Sequence, residues 1–319
     1  MVDFRKYPYL ANVNEILNRE YHGISIIELV NRDILDKAKE DILLAYNGRR
    51  INFTRYSKIN AILIFRFSVI FLNLLKDKKL MIKYAVAVSK GSKRFLEKEG
   101  EEELLEISKA LGLNTIKRDD FFLLDFIDYL KATERLRNDP NWKLVANPVI
   151  NGYVLLTKGK LIRVIEEKIF ERVMSYYQPM DSIEQLEKEI EDLRRALPLS
   201  SIEIPDKNIE GEIPPCIEKL RNKLIDGENL SHQARIALAV FFLNIGKSVE
   251  DVLELFKHSP DYNEKIAKYQ IEHLAGLRGS KKKYMMYSCE KMKVLGLCVA
   301  NCGVKNPLIY YKKHEVRKR

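Results

Sequence analysis

The chain has 319 residues, 46% hydrophobic and 31% charged, with four cysteines and a formal net charge of +10. That length suits two domains of ordinary size, and the composition excludes a disordered or fibrous chain. Four cysteines are too few for a disulfide scaffold and "MVDFRKYPYL" has no secretory h-region, so free thiols in a reducing cytoplasm are the plain expectation.

The charge is unevenly placed. Residues 213–319 hold 20 Lys and Arg against 11 Asp and Glu, whereas the first 212 hold 35 against 34. A basic domain following a balanced one is how a polyphosphate-binding module looks, although basic tails often serve solubility alone.

The first 140 residues read as successive helices. "SIIELV" from Ser25 carries a capping-box pattern with Glu28. "DILDKAKEDILLAYNG" places Ile34, Leu35, Ala38, Ile42 and Ala45 on one face and stops at Gly48. "INAILIFRFSVIFLNLL", Ile59 to Leu75, is the most apolar stretch. Arg66, Asn60, Ser68 and Asn73 interrupt it, which favours a buried core helix over a membrane span of about 20 apolar residues. "EEELLEISKALGLN" and "DDFFLLDFIDYLKATERL" are then expected as helices with acidic first turns.

The pattern changes near Trp142. In "WKLVANPVINGYVLLTKGKL" the pair Asn151-Gly152 separates apolar runs, a hairpin signal because a type I′ turn needs positive φ at both central residues. A small α/β element is expected near 142–178, packed on the helix "KLIRVIEEKIFERVMSYY", and "SIEQLEKEIEDLRRAL" closes this region. Residues 198–212, rich in Pro, Ser, Gly and acids, read as a linker. In the domain that follows, 213–319, helices are expected over "SHQARIALAVFFLNIG", over "SVEDVLELFKHS" with a Ser248/Asp251 cap, and over "DYNEKIAKYQIEHLAG". The chain after Gly276 reads as a basic loop. The fold class is therefore mainly α: a helical N-terminal domain (1–197) with a small hairpin element, a linker, and a helical C-terminal domain.

No nucleophile-and-base constellation and no Gly-rich phosphate loop is visible. Asp125 and Asp128, three apart, have metal-ligand spacing, but a solvated helix face explains them as well. The cysteines stand out more. Cys216, Cys289, Cys298 and Cys302 follow C-x72-C-x8-C-x3-C, and four thiolates meet the demand of a tetrahedral zinc site or of a Cys₄ iron–sulfur cluster. The spacing does not choose between them. A distant first ligand suits a group that fastens the start of a domain to its end.

His232 and Arg235 lie one turn apart at a helix N-terminus, where free N–H groups favour anions. The plain alternative is a Ser231 cap with two exposed side chains. "RGSKKKYMMYSC" interleaves Arg278, Lys281, Lys282 and Lys283 with Tyr284 and Tyr287, a mixture that can hold backbone phosphates and stack on bases.

"EIPPCIEKL", "LSHQARIALAVFFLNIG", "YQIEHLAG" and "YSCEKMKVLGLCVANC", in that order, resemble the C-terminal domain of the large subunit of archaeal and eukaryotic DNA primase. "KYPYL" and "NWKL" extend the resemblance over the N-terminal part. The resemblance implies a [4Fe–4S] cluster on Cys216, Cys289, Cys298 and Cys302. It implies that His232 and Arg235 face the single-stranded DNA template and the 5′-triphosphate end of the primer, with Tyr269 and His273 in a later family segment. Two positions just before the His-x-x-Arg, often His or basic in the family, are Asn229 and Ser231 here. It further implies a non-catalytic subunit that binds nucleoside triphosphates and assists a catalytic small subunit in RNA primer synthesis, some archaeal relatives having a third small subunit. The N-terminal domain would dock the small subunit, in the cytoplasm and off the membrane. A zinc-stapled nucleic-acid-binding module without a primase role is the competing reading. A redox enzyme would want a second cofactor site.

Overall fold

The computed structural model describes residues 2–197, apart from 23, 25, 27 and 138, and residues 211–313, apart from 280. Two compact units form, Met1–Leu199 and Ser200–Arg319. The architecture is mainly helical with one small antiparallel sheet.

The first unit carries eight α-helices: α1 (Val13–Glu20), α2 (Arg32–Tyr46), α3 (Lys58–Leu75), α4 (Lys78–Leu96), α5 (Glu101–Ala110), α6 (Phe126–Ala132), α7 (Lys158–Met174) and α8 (Glu187–Ala196). Helix α3 is apolar on every side and forms the centre. Among the described residues it is the one helix long and apolar enough to cross a membrane by composition, and 72% of it is buried inside the unit. Its buried polar residues find partners there, apart from the Arg66 Nε, which has none among the described residues. Arg66 donates to the Ala11 carbonyl at 3.2 Å and lies over the Tyr176 ring at 4.5 Å. Asn73 donates to the Tyr176 carbonyl and accepts from Gln178 N–H. Ser68 Oγ donates to the Ile64 carbonyl at 2.8 Å.

The amphipathic reading of α2 holds: Ile34, Ala38, Ile42 and Ala45 are buried, and Gly48 follows with φ +67°. At Ser25 the expectation lies outside the described residues, and residues 28 and 29 form a turn, with α2 beginning only at Arg32.

The sheet has strands β1 (Thr115–Arg118), β2 (Phe121–Asp125), β3 (Val149–Ile150) and β4 (Tyr153–Leu156) in the order β1-β2-β4-β3, all antiparallel. The Asn151-Gly152 turn has φ of +48° and +81°, as a type I′ hairpin demands. The helix expected over "DDFFLLDFIDYLKATERL" is corrected: its first part is strand β2, entered through Asp119 at φ +50°, and α6 starts only at Phe126. Phe122 and Leu124 face the core with Val154 and Leu156, so alternation rather than helical period governs that run. The α/β element thus begins at Thr115, before the 142 boundary read from the sequence.

The expected linker, 198–212, lies outside the described residues as far as 210. The second unit carries α9 (Pro215–Ile225), α10 (His232–Asn244), α11 (Val249–Phe256), α12 (Glu264–Leu274), α13 (Cys289–Val294) and α14 (Pro307–Lys313). The capping box at Ser248/Asp251 is formed. The last two helices correct the loop expected after Gly276. They lack a long apolar period, and each is a turn or two fixed by its neighbours. The unit's two ends meet: a Cβ on Gly211 would lie 2.8 Å from the Tyr311 carbonyl oxygen, and Tyr310 Oη donates to Glu212 at 3.0 Å.

Candidate functional site

Cys216 lies in the first turn of α9, behind Pro214 and Pro215, whose fixed φ suits a helix start. Cys289 is the first residue of α13, capped by Ser288, and its N–H donates to the Lys305 carbonyl at 2.9 Å. The chain then turns back through Gly296, and Cys298 N–H donates to the Met292 carbonyl. Cys298 and Cys302 both direct Sγ toward the Ala300 carbonyl, at 3.4 and 3.8 Å.

All four thiols line one small cavity, walled by Met292, Pro307 and Tyr310. Among the described residues Lys293 is the only charged one in the lining. Burial, with the neighbouring Cys298 thiol next, pushes the Cys216 thiol up to about 11. Burial also raises Cys289, with Lys293 opposing it. An apolar pocket holding four thiols and no carboxylate is a soft-donor site, and the donor set fits a thiolate-ligated metal group. Among the described residues no three His, Cys, Asp or Glu side chains converge on a single ion. Asp125 and Asp128 are outside any such group: Asp125 caps α6, and Asp128 accepts from Asn114 N–H at 2.8 Å.

The expected nucleic-acid residues fall into two groups at the two ends of α10. His232, exposed, opens the helix behind the Ser231 cap. Arg235 is held within the protein: its guanidinium donates to Asp261 at 2.6 Å, to the Leu230 carbonyl at 3.0 Å and to Asn229, and only 26% of its side chain is exposed. Asp261 is itself fixed by Ser259 Oγ at 2.7 Å. Arg235 therefore orders the α10 entry rather than presenting an unpaired charge.

The second group gathers about 16 Å along α10, at the helix rise of 1.5 Å per residue. Lys283 Nζ donates to the Leu243 carbonyl at 2.8 Å, and the Tyr284 carbonyl accepts from Asn244. The His273 and Tyr284 rings are 5.6 Å apart, and Arg278 lies over the exposed Tyr269 ring while pairing with Glu272. Gly276, at φ +77°, permits this: a Cβ there would lie 2.7 Å from Lys283 N. Lys281, at φ +54°, and Lys282 remain exposed. Tyr287 Oη donates to Gln233 at 2.7 Å, so the basic segment runs back along α10 toward His232.

The sequence reading missed a surface on the first unit. The sheet's inner face is buried, yet its outer face carries Ile116, Phe121 and Ile150, each more than 40% exposed, beside the half-buried Leu155, the buried Leu123 and the exposed Arg118 opposite Phe121. A one-sided antiparallel sheet ordinarily alternates apolar-in with polar-out. The signal lay in "TIKRDDFFLL", whose second half was read at helical period.

The fold is thus a two-unit, mainly helical chain whose C-terminal unit gathers four thiols in one cavity and a basic, aromatic segment along α10. Residues 206–308 match the family model for the C-terminal domain of the eukaryotic and archaeal DNA primase large subunit. The chain is 30% identical over 333 residues to the DNA primase large subunit PriL of Methanococcoides burtonii, covering 96% of this chain and 90% of that protein. It is 32% identical to that of Methanosarcina mazei and 31% identical to that of Archaeoglobus fulgidus, where the matches span 66% and 63% of the relatives' lengths. The chain belongs to the DNA primase large subunit family.

Proposed function

We propose that this chain is the non-catalytic, regulatory large subunit of a DNA primase, acting in the cytoplasm with the replication machinery. The observation that carries this reading is the convergence of Cys216, from the start of the second unit, with Cys289, Cys298 and Cys302, from its end, in a chain of this family. These four residues would hold a [4Fe–4S] cluster, which supplies four iron–thiolate cross-links to the unit. Two thiolates on one zinc lie about 4 Å apart, given Zn–S of about 2.3 Å, whereas each thiolate of a four-iron cluster takes its own iron.

His232 and the ordered α10 entry would bind the initiating nucleotide or the primer 5′-triphosphate. Tyr269, His273, Arg278, Lys281, Lys282 and Tyr284 would track the template by stacking and charge, with Lys283 fastening the segment to α10. Catalysis is assigned to the small subunit, and a third subunit is compatible with this scheme. The outer sheet face is the docking surface for that small subunit. An apolar face of this kind asks for a lasting protein partner, and a heterodimer supplies one.

The test is reconstitution with the catalytic small subunit. Iron and acid-labile sulfide should approach four per chain, and primer initiation at limiting nucleotide should require both chains. Stoichiometric zinc without sulfide, or initiation unaffected by leaving out this chain, would overturn the reading.

A further inference from the structure

Helix α4 is buried around most of its circumference and leaves one narrow stripe to solvent. That stripe carries Lys79, Lys83, Lys90, Lys93 and Arg94, with carboxylates only at its two ends, Asp77 at the N-cap, whose charge reaches Lys83, and Glu97 at the C-cap. Lys83, Lys90 and Arg94, spaced by seven and four, follow one line along the axis for about 16 Å.

The backbone brings further cations to this line. Ile51 N–H donates to the Ala87 carbonyl at 3.1 Å. Gly91 lies so close to Ile51 that a Cβ would sit 1.9 Å from its carbonyl oxygen, so only glycine admits this approach. Ala87 is four residues from Lys83 and three from Lys90, and Gly91 is three from Arg94, all same-face helix neighbours. The segment before Ile51, which carries the exposed Arg49 and Arg50, is thereby clamped beside the lysine line. Its start is fixed too, by Arg49 N–H donating to the Leu44 carbonyl at 2.9 Å. The Lys83 ammonium lies over the Tyr46 ring at 4.9 Å and the Arg94 guanidinium over Phe95 at 4.7 Å.

The first 212 residues are nearly balanced in charge, and several cations elsewhere in this unit pair with acids, as in Arg55–Asp41, Arg135–Glu167 and Arg163–Glu166. Arg49, Arg50, Lys93 and Arg94 make no ion pair among the described residues. A protein-binding face needs an exposed apolar centre, whereas along this strip Val86 is buried, Ile82, Tyr46 and Phe95 are half-buried, and cations lie over the two rings. One sign of charge along an extended line suits a phosphodiester backbone.

We propose that the α4 strip with Arg49 and Arg50 is a second nucleic-acid-binding surface, on the N-terminal unit, which grips the backbone without reading sequence. It is independent of the thiol pocket and of the α10 surface, which lie on the other unit.

The test uses the full chain and a fluorescein-labelled single strand of about 30 nucleotides, with anisotropy measured over a salt series. Joint Arg49→Ala, Arg50→Ala and Arg94→Ala substitution should weaken binding at least tenfold at low salt. It should also make the log K against log salt slope shallower by about 2, as three lost contacts to a single strand require. Lysine at the same three positions should restore most of both. Should the alanine variant melt early, the exposed pair Arg49→Gln, Arg50→Gln alone should still flatten the slope by about 1. Unchanged affinity and slope in a variant with wild-type melting would overturn the proposal. So would loss of small-subunit binding with nucleic-acid affinity intact, which would give the strip to a protein partner.

Discussion

Asp41 shows how a single buried residue couples this fold to pH. It has no exposed surface, and one oxygen meets Arg55 at 2.6 Å while the other has no partner. Burial, opposed by Arg55, pushes its carboxyl up to about 7. The folded state therefore holds the proton more tightly than the unfolded chain, so the contribution is full below about pH 4 and is lost as pH rises through about 7. The first unit should melt lower at pH 8 than at pH 5, by a difference on the order of 1–3 kcal/mol once Arg55 is allowed for. Asp41→Asn should flatten that dependence, and a variant as pH-sensitive as wild type would refute the assignment. Arg235 is the corresponding residue of the second unit. Arg235→Ala leaves Asp261 half-buried without its cation and should lower that unit's stability by about 1.5–3 kcal/mol, measured by thermal melting. Loss of nucleotide binding with no change in melting would instead make Arg235 a direct phosphate ligand.

Among the elements, the sheet separates local from tertiary instruction. Its β3–β4 hairpin is written into Asn151-Gly152, since two consecutive positive φ values select those residues. Gly152→Val should cost about 1 kcal/mol or more through strain at φ +81°, visible as a lower melting midpoint of the first unit. Strand β2 is different. In "FFLLDFIDYL" Asp125 caps α6 and so marks where the helix starts, but only pairing with β1 and β4 makes the preceding Phe121–Asp125 extended. Because pairing sends alternate residues outward, Phe121 joins Ile116 on the apolar outer face. Joint Phe121→Ser and Ile116→Ser should leave the unit folded and weaken small-subunit binding at least tenfold by titration calorimetry. Undiminished binding would remove that face from the interface.

For the whole molecule, the two units have separate hydrophobic cores, residues 7–197 and 216–311. A metal group contributes folding energy only where its ligands lie. Cys298→Ser should therefore raise hydrogen exchange across 211–313 and leave 2–197 protected, with the small subunit still bound. Exchange rising in both regions would mean that the cores are coupled.

The sequence by itself determined the amphipathic α2 and the continuously apolar α10, which begins behind its Ser231 cap. It showed the four thiols as a set, although Cys216 lies far from the other three, and it determined the hairpin turn, which depends on residues within a few positions of one another. The core placement of α3 was legible for the same reason, through its apolar length broken by Arg66. Only the tertiary structure decided that Phe121–Asp125 is strand β2, since it pairs with β4 some 30 residues on and then offers its other edge to β1. It alone committed Arg235 to Asp261 and split the α10 residues between two ends. It alone carried Arg49 and Arg50 onto α4, because a close approach such as that of Gly91 to Ile51 joins segments whose spacing leaves no periodic trace.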